Sequence, residues 1–292
     1  MRTISCFLMG GLGNQLFQIF ATIAYCIEHN FSFVFPHSET LNVGITRPTY
    51  WNSLFKNMTM FTTMNPNIKY TNNQILANFP KLQEKGFRYN KLPELSESYP
   101  KEIMLFGYFQ SYKYFCSFEQ HIYSLIGISD HLSSIKREFA DLFQDRTTVS
   151  MHFRLGDYKT KQQYHPIMSY EYYKNAFNYI LSKNKTHVHP MRVLYFCEKE
   201  DNAYVNDMID RMHESNQTVE FIKVDDTICD WKQMLIMSAC DNHIIANSSF
   251  SWWGAYLNQS TSKIVCYPSI WFGPAAQASN TEDLCPKSWI RI

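Results

Sequence analysis

The sequence lacks an excess of charge of either sign, because its 292 residues carry 27 lysines and arginines against 26 aspartates and glutamates. A near-neutral chain gives no reason to expect a nucleic acid or an anionic membrane surface as partner. It also lacks an uninterrupted apolar run of the ~18 residues that a membrane span needs, since the stretch 16–27 is broken by Gln18. We therefore expect no transmembrane segment, while peripheral association with a membrane stays open.

Cysteine motifs are absent as well. The eight cysteines include no CxxC pair and no spacing with histidine that is typical of a zinc site. His187 and His189 stand two residues apart without a third ligand, which favours solvated side chains. The first apolar run, 4–9, ends at Gly10 and Gly11 without a leader cleavage pattern. These absences predict reduced, packed cysteines, no metal site and a cytoplasmic protein.

The chain is instead rich in apolar side chains, with 45% hydrophobic and 16% aromatic residues, enough for one large core or two medium ones. Its length favours two domains. From residue 148 onwards, predicted strands and helices alternate, which indicates a parallel sheet with helices on both faces. The predicted strands are 149–153, 192–197, 219–224, 243–246 and 263–267, and the predicted helices are 170–182, 201–214, 231–240 and one from about 249.

The N-terminal half has a readable beginning and end. Its predicted elements are a strand at 4–9, a tight turn at 10–13, a helix at 14–29, strands at 31–35 and 103–108, and a helix within 127–146. Residues 38–100 show no long periodic pattern. We predict an α/β fold of the GT-B type, with two Rossmann-like domains, 1–147 and 148–292, that face each other across an interdomain cleft.

Two polar side chains leave the end of the strand predicted at 149–153. His152 and Arg154 alternate with apolar neighbours, so they point to the same side. The carboxyl end of a parallel strand is where open α/β sheets bind ligands, and a guanidinium there can grip a diphosphate bidentately. Asp157 could hold Arg154 in position or bind a sugar hydroxyl. Taken alone, the Arg–Asp pair would be read as tethering a loop.

A second strand end strengthens the first. The segment Asn-Ser-Ser-Phe-Ser-Trp-Trp-Gly at 247–254 follows the strand predicted at 243–246 and opens a helix, whose N-terminus attracts anions. The alternative is ordinary N-capping by Ser248 or Ser249 above a tryptophan core, and both interpretations can hold together. An arginine at one strand end and a helix N-terminus at another predict a metal-free diphosphate site.

The turn Gly-Gly-Leu-Gly-Asn-Gln at 10–15 resembles a dinucleotide fingerprint only superficially. Its spacing is not G-x-G-x-x-G, and no acidic residue follows ~20 positions later, which argues against NAD. We expect the amides of Asn14 and Gln15 to orient a sugar hydroxyl at the mouth of the cleft. Tyr108 and Gln110 end the strand at 103–108 and either line the acceptor site or pack.

Six segments, in order along nearly the whole chain, carry a family resemblance. They are Gly-Gly-Leu-Gly-Asn-Gln at 10–15, Gly-Tyr-Phe-Gln-Ser at 107–111, His-Phe-Arg-Leu-Gly-Asp-Tyr at 152–158, Tyr-Tyr at 172–173, Asn-Ser-Ser-Phe-Ser-Trp-Trp-Gly-Ala at 247–255 and Pro-x-x-Trp-Phe at 268–272. With them, the chain resembles glycosyltransferase family 11, the α-1,2-fucosyltransferases. The first, third and fifth segments together are specific for that family.

The resemblance implies a GT-B fold and an inverting transfer of L-fucose from the co-substrate GDP-L-fucose. It implies no cofactor and no required metal, in keeping with the absence of an Asp-x-Asp motif. It also implies a galactose-terminated oligosaccharide as acceptor, with O-2 of that galactose as the target.

Roles carry over by position. The resemblance implies that Arg154 contacts the β-phosphate, that His152 contacts the nucleotide, and that Asp157 sets the conformation of the loop. Asn14 lies where the related protein O-fucosyltransferases place an asparagine beside the acceptor hydroxyl. The implied catalytic set is Arg154, Asn14 and Asp157; the implied donor-binding set is His152, Arg154, Asp157, Asn247, Ser248, Ser249, Phe250 and Ser251; the implied acceptor-binding set is Asn14, Gln15, Tyr108 and Gln110.

Two departures from the family pattern bear on the donor. Leu155 stands where the family commonly has a second arginine, and Gln233 stands where it often has a carboxylate. If that carboxylate recognises guanine by accepting its N–H groups, Gln233 can take over only part of this role. The nearby Asp230 could then supply the missing carboxylate. Two alternatives to fucosyl transfer therefore stay open: another nucleotide-sugar transferase on the same fold, and a non-catalytic protein that binds a glycan or a nucleotide.

Overall fold

The computed structural model describes residues 1–183 and 190–292 and divides into two compact units. The units are Met1–Ser129 with Ser279–Pro286, and Asp130–Ala278 with Lys287–Ile292. Each unit is built on a parallel sheet with helices, which confirms the predicted α/β class. The pair His187 and His189 lies outside the described residues.

The first unit carries a four-stranded sheet. Its elements are β1 (Thr3–Cys6), α1 (Leu12–His29), β2 (Ser32–Phe33), β3 (Thr40–Leu41), β4 (Arg47–Pro48), α2 (Asn72–Asn78), β5 (Lys81–Gln83), β6 (Glu102–Phe106) and α3 (Glu119–Ile126), with 3-10 turns at Lys56–Phe61 and Tyr112–Tyr114. The strand order is β2-β1-β6-β5, and the neighbours are parallel. β3 and β4 form a separate antiparallel pair.

The apolar run at the centre of α1 forms a buried core helix rather than a membrane span. Leu16, Phe20 and Ile23 are fully buried, as the helical spacing predicts. The interrupting Gln18 is buried too, and its side chain accepts from the N–H of Met9 (3.0 Å) and donates to the carbonyl of Gly107 (3.1 Å). One polar side chain inside the helix therefore ties together the segments that follow β1 and β6.

The second unit carries a six-stranded sheet. Its elements are α4 (Ile128–Glu138), α5 (Ala140–Phe143), β7 (Thr147–His152), α6 (Tyr170–Lys183), β8 (Met191–Phe196), α7 (Asn202–Glu214), β9 (Glu220–Lys223), α8 (Asp230–Ala239), β10 (Asn242–Ile244), α9 (Ser249–Tyr256), β11 (Val265–Tyr267) and β12 (Ile290–Arg291). The order is β12-β11-β10-β7-β8-β9, with every neighbouring pair parallel. The predicted alternation of strands and helices is confirmed.

The division between the units falls after Ser129, whereas the sequence placed it at residue 147. Contacts of α4 and α5 explain the difference. Glu138 forms an ion pair with Lys232 of α8, and the carbonyl of Asp141 accepts from the guanidinium of Arg192 in β8 (2.5 Å). These two helices therefore belong to the second unit.

The cysteines follow the prediction in most positions. None of the eight, all of which lie in the described residues, forms a disulfide; six of them are buried, while Cys116 and Cys229 are exposed. Within the described ranges, none of the helices combines the length and the apolar character that a bilayer span requires.

A buried histidine lies at the centre of the second sheet. The ring of His243 in β10 contacts Ser150 Oγ of β7 through Nδ1 (2.8 Å) and Asn258 Nδ2 through Nε2 (2.9 Å). Because an amide nitrogen can only donate, Nε2 accepts, and Nδ1–H donates to the serine. The ring is therefore neutral, and burial together with the charge of Lys263 lowers the pKa of His243 well below its ordinary value.

This arrangement predicts acid sensitivity. Folded His243 stays neutral, while the unfolded side chain takes up a proton below about pH 6.5, so the free energy of unfolding falls as the pH drops. Between pH 7 and pH 5 we expect His243→Gln to lose about 2 kcal/mol less of this free energy than the unsubstituted chain. Urea unfolding at both pH values measures the difference. His213→Gln, an exposed change in the same unit, should leave the pH dependence unchanged; equal slopes for His243→Gln and the unsubstituted chain would refute the assignment.

Candidate functional site

The carboxyl edge of the second sheet gathers the predicted polar side chains. β7 lies between β8 and β10, so the segments that follow these strands meet at one edge. The guanidinium of Arg154 pairs with Asp157 through Nη2 and with Glu198, which follows β8, through Nη1. It also lies 5.0 Å from the centre of the Tyr158 ring. Arg154 is thus held by two carboxylates and one aromatic ring.

A buried carboxylate fixes the loop that carries Arg154. Asp201 is 1% exposed, and its Oδ2 accepts from the N–H of Gly156 (2.9 Å) while its Oδ1 pairs with Lys159. Gly156 has a φ of +36°, and a Cβ there would lie 2.5 Å from Oε2 of Glu198. The position therefore requires glycine. Sequence reasoning assigned no role to Asp201 or Glu198, although both lie in the acidic stretch after a predicted strand.

His152 ends β7 as a buried, neutral ring. Within the described parts of the chain its Nδ1 has no hydrogen-bond partner. Burial, assisted by the charges of Arg154 and Lys223, lowers the pKa of His152 to about 3. A buried polar atom without a partner is unusual in a folded protein. The edge of the sheet therefore contains a buried polar atom whose hydrogen-bonding capacity is unused among the described residues.

The turn after β10 confirms the N-capping interpretation. Ser248 is the N-cap of α9, and its side chain accepts from the N–H of Phe250 (3.3 Å). Ser251 is buried, and its hydroxyl points to the carbonyls of Ala246 and Ser248 (both 3.4 Å). Both hydroxyls are thus engaged within the turn. What the first turn of α9 offers to an anion is its backbone N–H groups.

The side chain of Asn247 links this turn to two neighbouring loops. Its Nδ2 donates to the carbonyls of Pro166 (2.9 Å) and Trp271 (3.0 Å), and its buried Oδ1 has no partner among the described residues. The hydroxyl of Tyr158 donates to the Asn247 carbonyl (3.2 Å). The rings of His152 and Phe250 lie 5.5 Å apart. The segments after β7 and β10 therefore lie side by side, as their strand ends predict.

The tyrosine pair of α6 holds the two strand ends. Tyr173 donates its hydroxyl to the carbonyl of His152 (3.2 Å), and Tyr172 donates to the carbonyl of Ile245 (2.5 Å). The pair was noted in the sequence only as a motif. In the structure it fixes the backbone at the places where β7 and β10 end.

The two departures from the family pattern are packing residues. Leu155 is 3% exposed and belongs to the core of the second unit, where an arginine would be buried. The amide of Gln233 donates to the carbonyl of Ile228 (2.7 Å) and so closes the turn before α8. Asp230 opens α8, with its carboxylate accepting from the N–H of Trp231 (2.7 Å).

The first unit presents a second polar group, at the carboxyl edge of its own sheet. Asn14 is in the first turn of α1, and its Oδ1 accepts from Nε2 of Gln110 (2.8 Å). Tyr108, two residues before Gln110, is 40% exposed. These three predicted acceptor residues lie on neighbouring segments after β1 and β6. They form an open, polar surface.

Gln15 does not join that surface. Its side chain is 1% exposed, and its amide donates to the carbonyls of Gly10 (3.1 Å) and Pro48 (2.9 Å). It holds the Gly10 turn against β4. The expectation that Gln15 orients a sugar hydroxyl is therefore replaced by a packing role, because burial and two backbone bonds engage its donor group.

Glu84 is a member of this edge that the sequence did not indicate. It follows β5, and its Oε2 accepts from the N–H groups of Tyr108 (2.7 Å) and Phe109 (3.0 Å). Phe109 has a left-handed φ of 53°, and Gly107 lets the glutamate approach, since a Cβ there would collide with its side chain. Burial raises the pKa of Glu84, against the effect of the two N–H groups.

Among the residues that the structure describes, no group of three or more His, Cys, Asp or Glu side chains is placed to hold a metal ion.

Comparisons with known proteins extend these observations. The sequence profile of Glycosyl transferase family 11 matches residues 61–292. Over 100% of its length the chain is 27% identical to an alpha-1,2-colitosyltransferase of Escherichia coli, of which 99% is covered. It is 30% identical to the O-antigen biosynthesis glycosyltransferase WbnK of Escherichia coli over 64% of this chain and 60% of that protein.

Two solved structures are similar in fold. POFUT1 in complex with GDP-fucose matches with a TM-score of 0.54 at 13% identity, covering 91% of this chain and 97% of that one. NodZ alpha-1,6-fucosyltransferase co-crystallised with GDP matches with a TM-score of 0.51 at 13% identity, covering 88% and 92%. The GT-B type of fold expected from the sequence is thereby confirmed.

The anchoring role of Asp201 is testable by substitution. Asp201→Ala leaves the N–H of Gly156 without its acceptor, which should lower the free energy of unfolding by about 2 kcal/mol. Asp201→Asn keeps an oxygen at that position and should lose less. The neighbouring Glu200 is exposed, so Glu200→Ala should change stability by no more than ~0.5 kcal/mol. Urea unfolding measures all three, and equal stability of the two alanine variants would show that Asp201 anchors nothing.

Proposed function

Since the chain belongs to glycosyl transferase family 11, we propose that it transfers L-fucose from GDP-L-fucose, with inversion, to a glycan hydroxyl, O-2 of a terminal galactose. The observation that carries the proposal is that Arg154 and the N-terminus of α9 follow two neighbouring strands, β7 and β10, at one sheet edge. A linkage to O-2 is supported by the relative that is named an alpha-1,2-transferase. We further propose that the protein works in the cytoplasm, where its cysteines, none of which forms a disulfide among the described residues, would stay reduced.

The chemistry explains why these groups are needed. As the bond between sugar and phosphate lengthens, negative charge grows on the leaving diphosphate, and preorganised donors placed there stabilise the transition state. Arg154 supplies a forked cation, and the first turn of α9 supplies N–H groups. The side chain of Glu198 is 49% exposed, so an arriving diphosphate can take its place on Arg154. Asp157 keeps the guanidinium oriented meanwhile.

The nucleotide has a matching position at the same edge. The partnerless Nδ1 of His152 offers one hydrogen bond to the nucleotide part of the donor, in the role that the resemblance implies. On the acceptor side, we propose that Asn14 orients the acceptor sugar by binding one of its hydroxyls and that Gln110 fixes the asparagine through their hydrogen bond. Tyr108 provides an exposed ring against which a sugar can pack. The reaction as proposed needs no metal ion.

A second candidate differs only in the sugar. The full-length relative from Escherichia coli is named for colitose rather than fucose, and Gln233 stands in a packing role where a guanine-reading carboxylate is often found. Transfer of colitose, or of another sugar from its nucleotide diphosphate, is therefore the alternative.

Loss of Arg154 tests the proposed site directly. Arg154→Ala should keep the fold, because the side chain lies in a partly exposed loop, and should lower kcat by about a hundredfold or more. GDP release in the presence of a galactoside acceptor measures the rate. Arg137→Ala on the exposed face of α4 is the matched control. Full activity of Arg154→Ala would rule out the proposed diphosphate contact.

Nucleotide choice tests whether the donor is a GDP-sugar. Thermal unfolding with GDP, UDP, GDP-fucose and UDP-galactose should show stabilisation by the guanine nucleotides, since a ligand that binds only the folded state raises Tm. Stabilisation by the uridine nucleotides alone would overturn the proposed donor. Transfer assays with GDP-fucose and a panel of galactosides, each with and without EDTA, then test acceptor and metal independence; a loss of activity with EDTA would contradict the metal-free reaction.

A further inference from the structure

We propose that Glu84 is the general base that takes the proton of the acceptor hydroxyl, an inference that rests on the proposed function. Three observations support it. One oxygen of the carboxylate accepts hydrogen bonds and the other does not, and the side chain lies on the same sheet edge as Asn14 and Gln110. The carboxylates at the edge of the second sheet, in contrast, form ion pairs with Arg154 and Lys159.

The carboxylate of Glu84 is oriented by the backbone. Oε2 accepts from two successive N–H groups, those of Tyr108 and Phe109, and these bonds fix the plane of the carboxylate. Oε1 makes no hydrogen bond or ion pair with any residue that the structure describes. Glu84 is half-buried rather than closed off. An oriented carboxylate with one unused oxygen is the arrangement that proton acceptance needs.

Its place in the sheet brings it near the acceptor residues. β6 lies between β5 and β1, so the segments after β5 and β1 are two strand spacings apart, about 10 Å. Gln110, which follows β6, reaches toward the β1 side to bind Asn14, while Tyr108 and Glu84 remain on the β5 side. A sugar that lies along this edge can bind Asn14 with one hydroxyl and present the attacking hydroxyl to Oε1 of Glu84.

The three carboxylates described at the edge of the second sheet are already paired. Asp157 and Glu198 both bind Arg154, and Asp201 binds Lys159. An ion pair stabilises the charged form and weakens a carboxylate as a base. Glu84 has the opposite environment, because burial raises its pKa and no cation is paired with it among the described residues.

His152 is a poor base as well, since burial and nearby positive charges lower its pKa to about 3. A group that holds a proton so weakly contributes little driving force to proton transfer. Among the groups considered at the two sheet edges, Glu84 has the environment that suits the task best.

The proposed step balances as written. The O–H bond of the acceptor breaks, and its proton goes to Oε1 of Glu84. The hydroxyl oxygen forms a bond to the anomeric carbon, and the electron pair of the breaking carbon–oxygen bond stays on the β-phosphate oxygen of GDP. Glu84 returns its proton to water after the product has left.

Glu84→Gln separates a base from a structural role. The amide oxygen can still accept from the two backbone N–H groups, so the turn at Phe109 should persist, but the side chain can no longer take a proton. We expect kcat to fall at least a hundredfold with the KM for GDP-fucose and the affinity for GDP unchanged. Glu97→Gln, at an exposed site of the same unit, is the matched control and should keep full activity.

The pH profile gives a second readout. In the unsubstituted chain the rate should fall on the acid side, at a pH above the ~4.3 of an ordinary glutamate, because the pKa of Glu84 is raised and the base must be ionised. Tyr114 is a titratable neighbour whose hydroxyl interacts electrostatically with Glu84. Because burial raises the pKa of Tyr114, it keeps its proton over the acid and neutral pH range. Glu84→Gln should lose this acid limb.

The outcomes distinguish the inference from the function beneath it. If the unsubstituted chain transfers no sugar from any nucleotide donor, the proposed function fails. If it does transfer, and Glu84→Gln keeps its rate within about threefold with the same acid limb, Glu84 is not the base and the proposed function stands. If Glu84→Gln does not fold, Glu84→Asp replaces it, and the pH profile of the rate in the unsubstituted chain tests the inference. A profile that does not fall on the acid side overturns the inference.

Discussion

The bond between the Asp201 carboxylate and the N–H of Gly156 is the contact on which the second unit's site depends. The loop after β7 must turn sharply enough to bring Arg154 back over the sheet edge. A buried carboxylate supplied by the neighbouring segment after β8 holds that turn at its centre. With the turn held, the guanidinium lies between Asp157 and Glu198.

The first unit uses the same device at its own sheet edge. There the carboxylate of Glu84, which follows β5, holds the N–H groups of the turn after β6. In both units a carboxylate from one strand end fixes the loop of the next, and a glycine makes room for the approach. Parallel sheets favour this solution, because their loops all emerge at one edge and can brace one another.

Short local patterns predicted much of this fold. The strand at 149–153 and the helices at 170–182 and 231–240 were recognisable because each alternates or repeats with a clear period. Residues 38–100 were not, since β5 has only three residues and no period can show in so short a strand. Glu84 was missed for that reason. The boundary at 147 was misplaced because the contacts of α4 with α8 join residues nearly a hundred positions apart.

The site was predictable in its types of residue but not in its pairings. The sequence predicts ligand-binding roles for Gln15 and Ser251 as well as for Asn14 and Ser248. Their spacing does not distinguish a buried amide or hydroxyl from an exposed one. Apolar periodicity and glycine turns are local properties, so the parallel α/β architecture and the strand ends that carry Arg154 and Asn14 could be predicted from the sequence. Which polar groups brace the loops and which keep an unused donor or acceptor depends on the distant carboxylate or carbonyl that each one meets, and that is a property of the tertiary structure.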